Sequence, residues 1–172
     1  VYCLDVNNAK AIWRFVYDCP VKNYHGSFST PIIDDGHIYT LSRNGDVHCL
    51  EAITGKKRWS LNITSDFGAS QPKYGFSGSP VIEGNLLILN GCKYGIALDK
   101  NSGKEVWRNL QDEAGYSAPV LVEQAGEKVL VVWTASNIAG LNPDNGQVYW
   151  IHEFEPRNMP INIATPVLYK NY

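Results

Sequence analysis

"CLEAITGKKRW" (49–59) reads as a β-strand, a tight turn and a second strand ending on Trp59. Near copies stand at 96–107 ("IALDKNSGKEVW") and 139–150 ("AGLNPDNGQVYW"), with a looser one at 2–13 ("YCLDVNNAKAIW"). Aligning them brings Trp13, Trp59, Trp107 and Trp150 into register, at separations of 46, 48 and 43 residues. Repeats of this length belong to propellers or to helical arrays. The residues between the tryptophans decide which: "TPIIDDGHIYTLSRNGDVHCLEA" (30–52) is a set of short β-rich runs broken by "DDG" and "RNG", which is strand and turn chemistry. No stretch holds a 3.6-residue apolar rhythm for three turns, so no helix is expected anywhere.

One whole unit contains "STPIID" (29–34), "HIYTLS" (37–42), "DVHCLEA" (46–52) and "KKRWSL" (56–61), joined by turns. Four antiparallel strands per repeat make a propeller blade. The next two units repeat the plan as "SPVIE", "NLLILN", "YGIALD", "KEVWRNL" and as "APVLVE", "KVLVVWT", "NIAGLN", "QVYWIHE". Their second strands are apolar almost without alternation, the pattern of strands buried on both faces. The expected layout is all-β: one partial propeller domain over 1–172, with blade ends at 1–14, blades at 28–62, 77–111 and 116–154, and the start of a further blade at 164–172. Partial units at either end imply open strand edges and apolar faces. The reading is therefore a segment of a larger propeller, with self-association through those edges as its expected behaviour in isolation.

Composition narrows the functional classes. Over 172 residues the chain is 44% hydrophobic and 19% charged, which is ordinary for a folded globular protein. The net charge of −2, with no basic cluster beyond "GKKR" (55–58), offers no field for a phosphate backbone, so nucleic acid is not expected as a partner. The longest apolar runs, "LLIL" (86–89) and "VLVVW" (129–133), are far short of the roughly 20 residues that cross a bilayer as a helix. Cys3, Cys19, Cys49 and Cys92 form no CxxC pair, so neither a zinc site nor a redox pair is indicated. Cys3 and Cys49 hold the same place in two repeats and read as small buried residues.

A small residue and Pro opening the first strand, then L-[DEN]-x-x-[TSN]-G-[KQ]-x-x-W closing the unit, resembles the pyrroloquinoline quinone (PQQ)-like repeat family over nearly the whole chain. The first copy departs at one point: Ala9 stands where the others have Gly55, Gly103 and Gly146. Neither the Trp-Asp strand end of WD propellers nor the paired glycines of kelch repeats occurs. The resemblance implies a propeller of about seven or eight blades when intact, roughly three and a half of them here. It also implies that the four tryptophans dock blade on blade.

Family members fall into two kinds. Quinoprotein dehydrogenases hold PQQ and calcium over the propeller axis and oxidise alcohols or sugars; other members, among them the outer-membrane assembly lipoproteins, are non-catalytic. The motifs here look more like the second kind. The resemblance thus implies a protein- or peptide-binding scaffold of the bacterial envelope, periplasmic, outer-membrane-associated or secreted, with no cofactor. The alternatives are a fragment of a PQQ- and calcium-dependent dehydrogenase, or a sensor or carbohydrate-associated module joined to another domain.

No catalytic, cofactor-binding or metal-binding residue is assigned. No two cysteines are adjacent, as the best-known alcohol dehydrogenases require. Asp34, Asp35, Asp46, Asp99, Asp112 and Asp144 lie in or beside turns, where Asp serves the local backbone. His25, His37, His48 and His152 lack ligand spacing, and His48 and His152, placed in strands, are expected to be hydrogen-bonded structural residues. The "DFG" at 66–68 has none of the other kinase motifs. In the family, the segments leading into each first strand surround one mouth of the central channel. Here these are "NYHGSFSTP" (23–31), "QPKYGFSGSP" (71–80), "EAGYSAP" (113–119) and "NMPINIATP" (158–166). Tyr24, His25, Phe67, Tyr74, Phe76 and Tyr116 are the candidate contacts there. Phe28, Phe76 and Tyr116, at similar places before a strand, are expected rather to plug the core, whereas Tyr24 and Phe67 sit in longer loops and are freer to meet a partner.

Overall fold

A computed structural model of the chain describes residues 1–20, 28–109, 113–154 and 161–169. The first two strands, β1 (Tyr2–Leu4) and β2 (Ala11–Arg14), form a hairpin of their own. Three four-stranded antiparallel sheets follow in strict chain order. The first comprises β3 (Ile32–Asp34), β4 (His37–Leu41), β5 (Asp46–Glu51) and β6 (Lys57–Asn62). The second comprises β7 (Val81–Glu83), β8 (Leu86–Leu89), β9 (Ile96–Asp99) and β10 (Glu105–Arg108). The third comprises β11 (Val120–Gln124), β12 (Glu127–Trp133), β13 (Asn137–Leu141) and β14 (Val148–Glu153). Each sheet is a propeller blade, and the fold is an all-β propeller.

The core is a pair of seams between blades. On one, Tyr39, Leu41, Val47 and Cys49 meet Leu87, Leu89, Ile96 and Leu98. On the other, Ile88, Ala97 and Trp107 meet Leu130, Val132, Ala139 and Leu141. Successive side chains of a strand point to opposite faces, so Leu87 and Leu89 serve the first seam while Ile88 serves the second. That is why "LLIL" shows no alternation. Burying each such side chain contributes about 1.5 to 3 kcal/mol by transfer arithmetic, an upper bound because unfolded chains already hide some surface.

Tryptophan and glycine lock the seams together. The indole Nε1–H of Trp13 donates to Ala52 O at 3.0 Å, that of Trp59 to Lys100 O at 3.0 Å, and that of Trp107 to Pro143 O at 2.8 Å. Each ring lies on the turn glycine of the following blade, where a Cβ would come within 2.5 Å of Trp13 at Gly55, 2.8 Å of Trp59 at Gly103 and 2.6 Å of Trp107 at Gly146. These glycines therefore meet two demands at once: a left-handed turn, with φ of 70°, 72° and 72°, and space for the neighbour's ring. Trp150 behaves differently. It folds back over Gly140 of its own blade and donates to Gln124 Oε1 at 3.3 Å.

Two expectations need correction. A one-turn helix, α1 (Ile63–Phe67), follows β6. The Asn62 side chain accepts from the Thr64 and Ser65 N–H groups, and Gly68 closes the turn at φ 72°. A single capped turn is too short to show periodicity, so its signal was the Asn and Gly at its ends. Second, His48 is not held by hydrogen bonds. It is 7% exposed, and neither ring nitrogen has a hydrogen-bond partner among the described residues. The ring instead packs against Phe15 and Tyr17, with centroids 5.1 and 4.4 Å away. Cys49 is buried as expected, while Cys3 is only half-buried.

Candidate binding site at the channel mouth

The segments entering the first strands converge. β3 and β7 lie against each other, and the Thr30 N–H donates to Ser79 Oγ at 2.8 Å, tying one blade's entry to the next. Ser77 Oγ donates to Tyr116 O at 3.0 Å, and Tyr116 N–H to Asn162 O at 3.1 Å, continuing the stitching across later blades. Asn162 is buried and its side-chain amide donates to Thr134 O at 2.7 Å and Ala135 O at 3.1 Å. Buried amides spent on backbone carbonyls of other loops make the entry segments a fixed surface.

Between them lies an open groove of about 590 Å³, lined by Phe28, Tyr74, Ser77, Ser79, Tyr116, Ala118, Ile161, Ile163 and Thr165. Among the described residues that line it, none is charged. Tyr74 and Tyr116 face each other with ring centroids 6.0 Å apart, and the Tyr116 hydroxyl accepts from the Tyr74 N–H at 3.3 Å. Burial pushes the Tyr116 hydroxyl pKa up, opposed by that hydrogen bond, with the Glu113 charge raising it further. The phenol is therefore a neutral hydrogen-bonding group here. Arg43 supports the groove from below: its guanidinium donates to Tyr74 O at 3.2 Å and sits 5.3 Å from the Phe28 ring centroid. Lys73 Nζ lies 5.4 Å from the Tyr74 ring centroid.

Of the residues singled out from sequence, Tyr74 and Tyr116 line this groove. Phe76 is only 1% exposed and packs in the first seam, so it is a core residue with no surface to offer. Phe67 is likewise drawn into the structure: it packs against the first seam, and Arg108 covers its ring at 5.6 Å while donating to its carbonyl at 2.8 Å. Phe28 goes the other way, 48% exposed and on the groove wall rather than a plug. Tyr24 and His25 lie outside the described residues. The sequence had indicated the segments but not Arg43, Lys73, Ile161 or Ile163. Nothing in an Arg or Ile within a loop announces that it joins a groove built from several blades.

The carboxylates mostly serve the backbone. Asp99 accepts from Ser102 and is held below its usual range chiefly by that hydroxyl. Asp34 pairs with Lys100 of the next blade at 2.5 Å. Among the described residues no three His, Cys, Asp or Glu side chains converge on a point. These residues therefore do not fit the oxygen donor set that calcium takes, and no chemistry is derived through a quinone or a metal.

Residues 1–168 match the family model described as outer membrane protein assembly factor BamB, and the chain belongs to this PQQ-repeat family. Among its relatives, the quinoprotein alcohol dehydrogenase PedH of Pseudomonas putida is 29% identical over 86% of this chain and 27% of its own length. The outer membrane protein assembly factor BamB of Burkholderia pseudomallei is 26% identical over 80% of this chain and 32% of its own. The chain thus spans about a third or less of these relatives. In solved structures the fold matches BamB from Moraxella catarrhalis (22% identity, TM-score 0.56, 73% of this chain, 36% of that one). It also matches quinohemoprotein alcohol dehydrogenase from Comamonas testosteroni (17% identity, TM-score 0.63, 88% of this chain, 32% of that one). Assembly factors and dehydrogenases stand at similar distance, so the comparisons define the family and the fold. Among the described residues no helix is long and apolar enough to cross a membrane.

Proposed function

We propose that this chain is part of a non-catalytic propeller scaffold of the bacterial cell envelope that binds a protein or peptide partner at its channel mouth. The observation that carries the reading is the groove itself, whose walls combine exposed apolar side chains, Phe28 and Ile163 at 48% and 70% exposure, with aromatic and hydroxyl groups. Apolar walls with a few placed polar groups are what a peptide site needs. The relatives named as outer membrane assembly factors support the envelope setting.

The dehydrogenase reading is favoured by relatives such as PedH. It would require the calcium and quinone ligands to come from residues other than those described.

The test is a titration of labelled, unstructured, apolar-rich peptides into the full protein that carries this chain. Replacing Phe28 and Tyr116 together by Ala should weaken binding about tenfold or more, as for aromatic anchors at interfaces, while Val106→Ala on the outer strand β10 should leave it unchanged. Equal affinity for both variants would overturn the reading.

A further inference from the structure

We infer that Trp150 is a latch held off its seam, so that the seam leaving the third blade is the one at which this propeller opens. The inference is independent of the channel-mouth reading. Two departures of the third blade from the other two carry it, and both act on Trp150.

The first is the residue opposite the ring. Across the ladder Trp13 faces Cys3, Trp59 faces Cys49 and Trp107 faces Ala97, whereas Trp150 faces Gly140. The ring lies where a Cβ at Gly140 would stand, 2.3 Å from its Cε2 atom. In the other blades a Cβ stands at that place and bars the same position, and their indoles turn to the following blade instead. Gly140 sits in ordinary strand backbone of β13, so no turn calls for a glycine there. A glycine inside a strand marks a close approach, and here the approaching group is the indole.

The second is strand length. β11 runs for five residues, against three in β3 and three in β7. The added length carries Gln124 to the indole, and its Oε1 accepts the Nε1–H that Trp59 and Trp107 give to a carbonyl of the next blade. At 3.3 Å that bond is longer than the 2.8 to 3.0 Å of the cross-blade indoles. The ring is therefore parked under a weak hold and can be exchanged for a seat on the seam.

The parked ring walls an apolar cavity of about 240 Å³ together with Val120, Val131, Ile138 and residues 166–168 of the segment that follows. Just before that segment, the Asn162 amide is bonded to Thr134 O and Ala135 O of the third blade. The mouth thus keeps its form while the seam beyond Asn162 loosens.

The test is thiol alkylation of the full protein that carries this chain, read site by site by peptide mass mapping. Val131 and Ile88 are both buried and hold the same place on the third and second blades, paired across the ladder with Gly140 and Ala97. Val131→Cys should be alkylated about tenfold faster than Ile88→Cys, because local opening governs access to a buried thiol. Gly140→Ala, added to Val131→Cys, evicts the ring toward the seam and should slow alkylation about fivefold, the range of one hydrogen bond regained. If Trp150 merely packs its own blade, the same methyl overpacks it and alkylation speeds up. Gln124→Ala adds no atom and frees the indole, so it should slow the reaction too; it keeps the test decisive where Gly140→Ala does not fold. In a Trp150→Phe background, with no N–H to give, both effects should vanish. Equal rates for Val131→Cys and Ile88→Cys, or alkylation that Gln124→Ala fails to slow, would overturn the inference.

Discussion

At the scale of single residues, the turn glycines show how one amino acid answers to two neighbours. Gly103 turns the chain at φ 72°, and the ring of Trp59 occupies the place a Cβ would need, 2.8 Å away. Gly103→Ala should therefore cost about 2 to 4 kcal/mol, combining left-handed strain with overpacking against a held ring. Ala9 tests the argument from the other side. It adopts φ 56° with a Cβ already present, so Ala9→Gly should change stability by no more than about 1 kcal/mol, relief of strain being offset by a freer unfolded chain. Urea unfolding of the two variants would check the contrast. A Gly103→Ala variant as stable as the parent would show that the Trp59 contact is not a tight one. From sequence, the glycine's turn geometry was legible, because it follows from local pattern. Its second role was not, because the ring above Gly103 comes from a residue 44 positions earlier.

At the scale of elements, strands and their order were readable because each β-run carried its own turn signal, and because blades bury both faces of β8 and β12. The helix α1 was not readable, since five residues between Asn62 and Gly68 hold no period. The packing of the β1–β2 hairpin onto the first blade adds a pH dependence that sequence could not disclose. His48 of β5 lies under Phe15 and Tyr17, and burial lowers its pKa from 6.5, with Asp46 opposing and the Lys57 charge acting in the same direction as burial. The unfolded chain thus binds the proton more readily than the folded one. Stability from this site is full above pH 6.5 and is lost as pH falls toward the lowered value. Asp66 and Asp99, held below 3.8 by hydrogen bonds, titrate beneath that window. The urea midpoint should fall between pH 7.5 and pH 5, and His48→Phe, which keeps the ring packing, should flatten the decline. A decline unchanged in the variant would assign it to other groups.

At the scale of the whole molecule, the described blades pack in sequence along their seams, and the entry segments of successive blades converge on one shared surface. Stability is then a sum of seams, and function falls to the mouth, where hydrogen bonds such as Thr30 to Ser79 and Tyr116 to Asn162 fix a shared surface. The repeat pattern told which segments would converge, and the aromatic content of those segments drew attention to Tyr74 and Tyr116. It could not tell Phe76, turned into the core, from Phe28, turned out, since both precede a first strand with similar neighbours.

The most direct measurement of the central claim is amide hydrogen exchange on the full protein with and without a saturating unstructured, apolar-rich peptide. The account predicts new protection confined to 28–31, 73–80, 116–119 and 161–166, with the outer strands Lys57–Asn62, Glu105–Arg108 and Val148–Glu153 unchanged. Protection that appears along those outer edges and spares the mouth would place the partner on the blade rims and contradict the account.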